Sequence, residues 1–315
     1  MTESYDPVPT VCPVCEAGLS PVPAIYGCDR LHSTPGEHAV FICSQCQAGI
    51  TAPLARGEEL GAFYPGGYQP HQRLRIPAVG WAIELFLRLR GRRQLRTEPM
   101  SALSDRAPGR VLDVGCGRGD LSALLTSEGW TTIGIDPSPE ACTIARERGI
   151  EAHCATLENV SLPPGSFDAV VFQQSLEHVV DPVGDLRRAR HLLADHGIVV
   201  VSLPNFACWE RVHFGTYWFG LELPRHRTHF TKVSLETAFD RAGFAVERTA
   251  TSTLLTGLLL SIQYRLFGRC RLGLGLGFYL LAGASLVILP LTSFLDRMRG
   301  GGELLHAVAN VRQPI

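Results

Sequence analysis

Three groups of residues have the types and spacing to do chemistry. Two Cys-x-x-Cys pairs, "CPVC" (Cys12, Cys15) and "CSQC" (Cys43, Cys46), can bring four thiolates to one metal ion. Further on, the apolar run "RVLDV" leads into "GCGRG", with Gly115, Gly117 and Gly119 at alternate positions and Asp113 two residues ahead of the first. Glycines there let the backbone approach a ligand closely, and the helix that follows offers unpaired N–H groups. Asp136 ends the next apolar run, "TTIGID", and an acid in that place suits a ribose diol. The third group is polar and titratable. It comprises Gln173, Gln174, Glu177 and His178 in "QQSLEHVVDP", and Arg225, His226, Arg227 and His229 in "LPRHRTHFT". Histidine titrates near neutrality, so His178, His226 and His229 are the candidate catalytic bases, each with a purely structural alternative.

The two cysteine pairs are 27 residues apart, with short strand-like runs between them. A segment this small cannot bury enough apolar surface to fold alone, which gives a metal a structural job. A structural zinc on Cys12, Cys15, Cys43 and Cys46 is therefore expected, a redox dithiol being the other reading. Cys28 reads as a buried thiol, and His32 and His38 are not needed as ligands. The remaining cysteines read as free thiols in a reducing cytosol. The start "MTESYDPVPT" lacks the basic and apolar regions of a signal peptide.

Positioning these groups requires a particular order of elements. Strands are expected near 110–114, 131–135, 151–154, 168–173 and 197–203. Helical patterns near 119–128, 138–148 and 182–194 alternate with them. That alternation implies a parallel, doubly wound α/β sheet. "LETAFDRAGFAVERTAT" adds a helix and a sixth strand, and "GELLHAVANV" reads as a seventh.

A dinucleotide-binding turn would place its third glycine three residues after the second; here it comes two after. "VLDVGCGRGD", "GIDPS", "LPPGSFDAVVFQQSLEHVVDP" and "LLADHGIVVVSLPN" together resemble the class I S-adenosylmethionine-dependent methyltransferases, over residues 109 to about 250. The resemblance implies a seven-stranded Rossmann-like sheet whose last strand lies antiparallel beside the sixth. It implies that Gly115, Gly117 and Gly119 cradle the methionine part of the cofactor, with Asp113 orienting the loop or meeting the cofactor's amino group. Asp136 would bind the ribose hydroxyls, with Pro137 and Ser138 beside the adenine. Relatives often carry an acid after strand three. Here Thr156 and Leu157 stand nearby, and only their backbone groups would reach the adenine. Cys116 fills a small-residue slot in the turn, and Gln173 and Gln174 at the end of strand four complete the cofactor-binding set. "LPRHRTHFT" resembles a motif of bacterial methyltransferases that also carry an N-terminal cysteine ribbon.

Methyl transfer from a sulfonium is an in-line displacement, so donor and acceptor must be aligned and water kept away. Residues 204–231, rich in aromatics, are too long for a plain connector and are expected to form a substrate lid. The expected activity is methyl transfer to a small-molecule, sugar or lipid-linked acceptor, in cell-envelope biosynthesis. An RNA or protein methyltransferase is one alternative, and a cofactor-binding module without turnover another. A net charge of −1, and one arginine with no lysine among residues 1–50, argue against nucleic acid as partner.

The chain thus divides into a zinc ribbon (1–55), a loop and N-terminal helices (56–108), a methyltransferase domain (109–251 with 302–315) and an apolar helical insertion (252–301). Within the second segment, residues 77–96 pattern as a helix with a basic tail. It reads either as a helix lying on the main domain or as one resting on anionic lipid. The insertion contains "LGLGLGFYLLAGASLVILPLTSFL", residues 272–295, without a charge. That is long enough to span a bilayer. Yet strands six and seven must meet, so both its ends lie on one side of any membrane. Arginines flank it on both sides, and glycines and Pro290 interrupt it. It reads as an interfacial or re-entrant hairpin, or as a buried cap on the domain, with membrane-surface contact favoured. The expected location is cytoplasmic, peripheral on the inner face of the plasma membrane.

Overall fold

The computed structural model describes residues 9–54, 63–64, 99–253, 255–270 and 301–312. The basic pattern at 77–96 and the uncharged run at 272–295 lie outside the described residues.

The N-terminal segment builds three short strands: β1 (Ile25–Gly27), β2 (His38–Ile42) and β3 (Gly49–Ala52). They pair antiparallel in that order. The two cysteine pairs form knuckles of the same construction. In "CPVCEAG" and "CSQCQAG", Glu16 and Gln47 both take φ of 63°. The amides of Cys12 and Cys43 donate to the carbonyls of Ala17 and Ala48 at 2.8 Å.

After a short helical turn, α1 (Ser101–Ser104), comes β4 (Arg110–Val114) and then α2 (Asp120–Ser127). Next are β5 (Thr131–Asp136), α3 (Pro139–Glu147), β6 (Glu151–Cys154) and β7 (Phe167–Gln173). Then follow α4 (Pro182–Leu192), β8 (Leu193–Pro204), α5 (Trp209–Phe214) and β9 (Thr228–His229). The last elements are α6 (Lys232–Arg241), β10 (Phe244–Ser252), α7 (Leu255–Phe267) and β11 (Leu304–Val311).

Seven strands form one sheet in the order β10-β11-β8-β7-β4-β5-β6. β11 is antiparallel to both its neighbours, and the pairs from β8 to β6 are parallel. This is the doubly wound sheet expected from the sequence. The central strands are covered on both faces, which is why "AVVF" and "IVVV" read as unbroken apolar runs. Their helices start where the sequence supplies caps. Ser138 Oγ accepts from the Ala141 amide ahead of α3, and Asp181 Oδ1 from the Gly184 amide ahead of α4. Thr231 and Ser234 exchange hydrogen bonds as a capping box on α6. β8 begins earlier than the sequence pattern suggests. Leu193 already pairs with Phe167, so a polar stretch that reads as a turn is drawn into the sheet edge.

Strand order reverses where β5 and β7 flank β4, so the crevice for a ligand opens at the carboxyl ends of β4 and β7. The N-terminal sheet is not a separate body. β9, from the segment after β8, pairs with β3 and becomes its fourth strand. Cys12, Val14, Cys43 and Cys46 share one apolar cluster with Phe230, Leu235 and Ala238 of the main domain. Arg241 donates to the Val14 carbonyl and pairs with Glu16. On the other side, α7 closes over the same segment. Ser261 Oγ accepts from the Phe219 amide at 2.9 Å, and Leu258, Leu259 and Tyr264 are buried. Among the described residues, no helix is long and apolar enough to cross a membrane.

Candidate active site

The glycine turn explains its own composition. Gly115, Gly117 and Gly119 take φ of 76°, 53° and 77°, the left-handed region where a side chain is strained. A side chain at Gly115 would also collide with Ser175, whose Cβ lies 2.6 Å from where a new Cβ would stand. The turn therefore rests directly against the loop that follows β7. Cys116 is buried beneath the turn, its sulfur in the space a side chain at Gly134 would need.

One carboxylate holds the turn and a second holds the helix that follows it. Asp136 Oδ2 accepts from the Gly117 amide at 2.9 Å, and its Oδ1 from the Ser138 amide at 2.8 Å, across Pro137. Asp113 is buried; its Oδ2 accepts from Ser122 Oγ at 2.7 Å, and burial pushes its carboxyl up to about 6. After β6, Thr156 is exposed and Leu157 buried, and the Thr156 carbonyl accepts from the amides of Asn159 and Val160. Gln174 adopts φ of 54° at the end of β7, with its amide on the Ser202 carbonyl.

The loop after β7 carries an uncommon set of unsatisfied groups. Gln173 Oε1, Ser175 Oγ and both carboxylate oxygens of Glu177 are buried with no hydrogen-bond partner among the described residues. Buried polar atoms are normally paired. Three residues with orphaned atoms within five positions, beside a turn with glycine at alternate positions, fit an adenosyl sulfonium cofactor and its acceptor.

Glu177 and His178 stand in one 3-10 turn, Leu176–His178. His178 Nδ1 donates to the Arg225 carbonyl at 3.0 Å, with the Tyr64 hydroxyl 3.3 Å from the same nitrogen. The rings of His178 and His226 meet edge to face at 4.7 Å between centroids. His226 Nδ1 donates to the Gly220 carbonyl at 2.8 Å. Burial pushes His178 down to about 3 and lowers His226 as well, while it pushes Glu177 up to about 8. The structure thus brings Glu177, His178 and His226 together at the carboxyl end of β7.

His229 is placed differently. Thr51 Oγ1 donates to the His226 carbonyl at 2.7 Å, so the His229 Nε2 proton, 2.9 Å away, points to Thr51. His229 is therefore bonded to β3, and burial holds it well below the usual histidine range. Two of the aromatics expected to line a lid pack inside instead. Phe206 and Trp218 are buried with Val40, Leu221 and Leu223, and Arg211 lies over Phe206.

Sequence reasoning missed Asp29. Arg225 has a fully buried side chain, donating to both carboxylate oxygens of Asp29 at 2.8 and 3.1 Å, to Glu222 Oε1 at 2.9 Å and to the Phe63 carbonyl at 3.1 Å. Despite burial, the Arg225 guanidinium holds the Asp29 carboxyl down at about 2. An aspartate in a loop carries no motif, so only the fold reveals its partner.

In the knuckles, Cys12 and Cys46 sulfurs lie 3.6 Å apart, and Cys15 and Cys43 sulfurs 3.4 Å. All four lie within 4.8 Å of one another. A tetrahedral site with Zn–S of about 2.3 Å needs sulfurs about 3.8 Å apart, so the four residues fit zinc.

A family model described as a methyltransferase domain matches residues 87–249, more than half of the chain. The chain belongs to that family, and its fold and site define a class I S-adenosylmethionine-dependent methyltransferase. Among curated relatives, a ubiquinone biosynthesis O-methyltransferase of Xanthomonas oryzae pv. oryzae is 34% identical over 145 residues, 43% of this chain and 61% of that protein. One from Azorhizobium caulinodans is 29% identical over 212 residues, 62% of this chain and 81% of the relative. The chain thus spans about three fifths of the length of the Xanthomonas relative. A solved SAM-dependent methyltransferase from Archaeoglobus fulgidus is 19% identical, with a TM-score of 0.49 over 71% of this chain and 94% of the other.

Proposed function

We propose that the chain transfers the methyl group of S-adenosylmethionine to a hydroxyl of a small organic acceptor seated between the end of β7 and residues 205–231. One observation carries this reading: the glycine turn at Gly115 presses on Ser175, next to the orphaned polar groups of Gln173 and Glu177. Donor and acceptor sites are therefore neighbours. The O-methyltransferase relatives support an oxygen acceptor.

S-adenosylmethionine supplies an electrophilic methyl on a sulfonium. Gly115, Gly117 and Gly119 leave room for its amino-acid part, with Asp113 bracing the turn and Cys116 filling the space beneath it. Asp136 turns from the Gly117 amide to the ribose hydroxyls. Pro137 and the backbone at Thr156 and Leu157 border the adenine, and Gln173 and Gln174 close the crevice. Glu177, His178 and His226 receive the acceptor hydroxyl, the Glu177 carboxyl donating to it and a neutral histidine, His178 or His226, taking up its proton. His229, bonded to Thr51, orients the segment that carries His226. Zinc on Cys12, Cys15, Cys43 and Cys46 stabilises the N-terminal sheet.

A lipid-linked acceptor, as in envelope biosynthesis, has one supporting feature. Leu266 and Phe267 at the end of α7 are exposed and lead toward the uncharged run at 272–295. Such a surface would bring the site to the inner face of a membrane. Incubating an extract of the native cells with the enzyme and methyl-labelled cofactor, then partitioning between organic and aqueous phases, tests both parts. Label in small organic products supports the proposal, and organic-phase label supports the lipid link. Label confined to RNA or protein would overturn it.

A further inference from the structure

We propose that His306, on the last strand, is a positioning residue for the cofactor crevice: through Ser202 it fixes Gln174 and the loop that carries Gln173, Ser175 and Glu177. This rests on the proposed function, in which Gln173 and Gln174 close that crevice. His306 stands in β11, between β8 and β10. Its partner in register on β8 is Ser202, and Ser202 is the partner of Gln173 at the end of β7. Three neighbouring strands thus carry a polar residue at one level. Two residues earlier on the same strands or their partners, Val171, Val200 and Val308 fill the sheet face with apolar side chains.

The polar row is a hydrogen-bonded chain. His306 Nδ1 lies 3.0 Å from Ser202 Oγ, and its Nε2 2.7 Å from Ser252 Oγ on β10. The Gln174 side-chain amide donates to Ser202 Oγ at 3.5 Å. Among the described residues, the Ser202 hydroxyl has no acceptor for its own proton except His306 Nδ1. Gln173 Oε1, its neighbour in register, has no partner. The ring proton therefore sits on Nε2 and points to Ser252, which is exposed. Burial pushes His306 down to about 4, so the ring is neutral and accepts at one nitrogen while donating at the other. The donors run one way, from Gln174 through Ser202 and His306 to Ser252.

An apolar side chain at this position would fill the sheet face as Val308 does, without the cost of burying an imidazole. What the imidazole adds is a hold on the loop after β7. Gln174 takes φ of 54°, a left-handed conformation that persists in a residue other than glycine only where its surroundings enforce it. Ser202 enforces it twice. Its carbonyl accepts from the Gln174 amide at 2.8 Å, and its hydroxyl from the Gln174 side chain. The kink separates Gln173 from Ser175, whose Oε1 and Oγ are two of the orphaned atoms of the crevice. Without His306 the Ser202 proton is left buried and unpaired, and the hydroxyl turns away from Gln174 to find a partner.

The test measures S-adenosylmethionine binding to the full-length protein by calorimetry, with melting temperatures on the same samples. His306→Phe, which keeps a ring and removes both nitrogens, should weaken binding roughly fivefold, the worth of about one hydrogen bond. Ser202→Ala, which removes only a hydroxyl, should do the same. His306→Gln can still accept at one end and donate at the other, and should recover most of the loss. Ring nitrogen spectra by NMR give a second readout. The histidine signal missing from His306→Gln should show its proton on Nε2, and should shift when the cofactor binds. A cross-strand staple with no hand in the site would lower the melting temperature and leave affinity unchanged. That result in Ser202→Ala would overturn the proposal, even if His306→Phe does not fold. So would a ring proton on Nδ1. No cofactor binding by the unsubstituted protein would count against the methyltransferase function instead, and the position of the ring proton would then decide the proposal.

Discussion

At the scale of single residues, Asp136 and Asp29 carry opposite kinds of information. Asp136 is placed by motif, at the end of β5, and its two oxygens now rest on the amides of Gly117 and Ser138. Exchanging one amide for a ribose diol costs little, so on the proposed function Asp136 would be both a brace and a ligand. Asp136→Ala should weaken S-adenosylmethionine binding by roughly 2 kcal/mol or more, the loss of charged hydrogen bonds, measured by calorimetry. An unchanged affinity would remove Asp136 from the site. Asp29 is the reverse case. Removing it strands the buried Arg225 guanidinium, and Asp29→Ala should cost roughly 3–5 kcal/mol of stability, read from denaturant midpoints. The pH dependence has a definite sign. The Asp29 carboxyl is depressed to about 2 in the folded chain. Its contribution is therefore complete above the unfolded carboxylate range near 4 and is lost as pH falls toward 2. A stability profile flat between pH 4 and pH 2, or no steeper than that of Asp29→Asn, would contradict this.

At the scale of elements, the finding is the join between β3 and β9. The sequence shows two cysteine pairs and a separate histidine-rich motif, and nothing in either predicts that they share a sheet. β9 is two residues long and has no strand periodicity, so only tertiary pairing makes it a strand. The join passes through Thr51, which holds both the His226 carbonyl and the His229 ring. On the proposed function, metal in the knuckles would therefore act on the acceptor side of the site. Zinc analysis should find about one equivalent per chain, lost in the double variant Cys12→Ser, Cys15→Ser. Stripping zinc with a chelator should raise KM for the acceptor more than it weakens cofactor binding, because the amides of the glycine turn are held by Ile135, Cys116 and Asp136. Equal loss of both would mean that zinc supports the whole fold instead.

At the scale of the whole molecule, the sheet was the most legible part. The seven strands follow from alternating patterns that report on burial within a few residues, while the place of the last strand beside the sixth comes from the family resemblance carried by the glycine turn, the acid and "LEH". The glycine turn and Asp136, the donor side of the proposed site, are legible for the same reason. The acceptor half is not. Its partners, Glu177 with His226 and Asp29 with Arg225, lie about 50 and 200 residues apart, and pairing at that range leaves no local trace. The aromatics of residues 205–231 illustrate the limit: their count suggests a lid, but Phe206 and Trp218 serve to fill the space against β2.

The position of β11 has a consequence for how the chain comes off the ribosome. β11 is made last of the strands, yet it lies between β8 and β10 and hydrogen-bonds to both. Until residue 304 has been synthesised and has left the exit tunnel, β8 ends in an unpaired apolar edge and β10 has no neighbour. The sheet cannot close until β11 has emerged, however early its glycine turn forms. A nascent chain in this interval exposes "IVVVSL", the kind of flat strand edge that chaperones must shield from other chains.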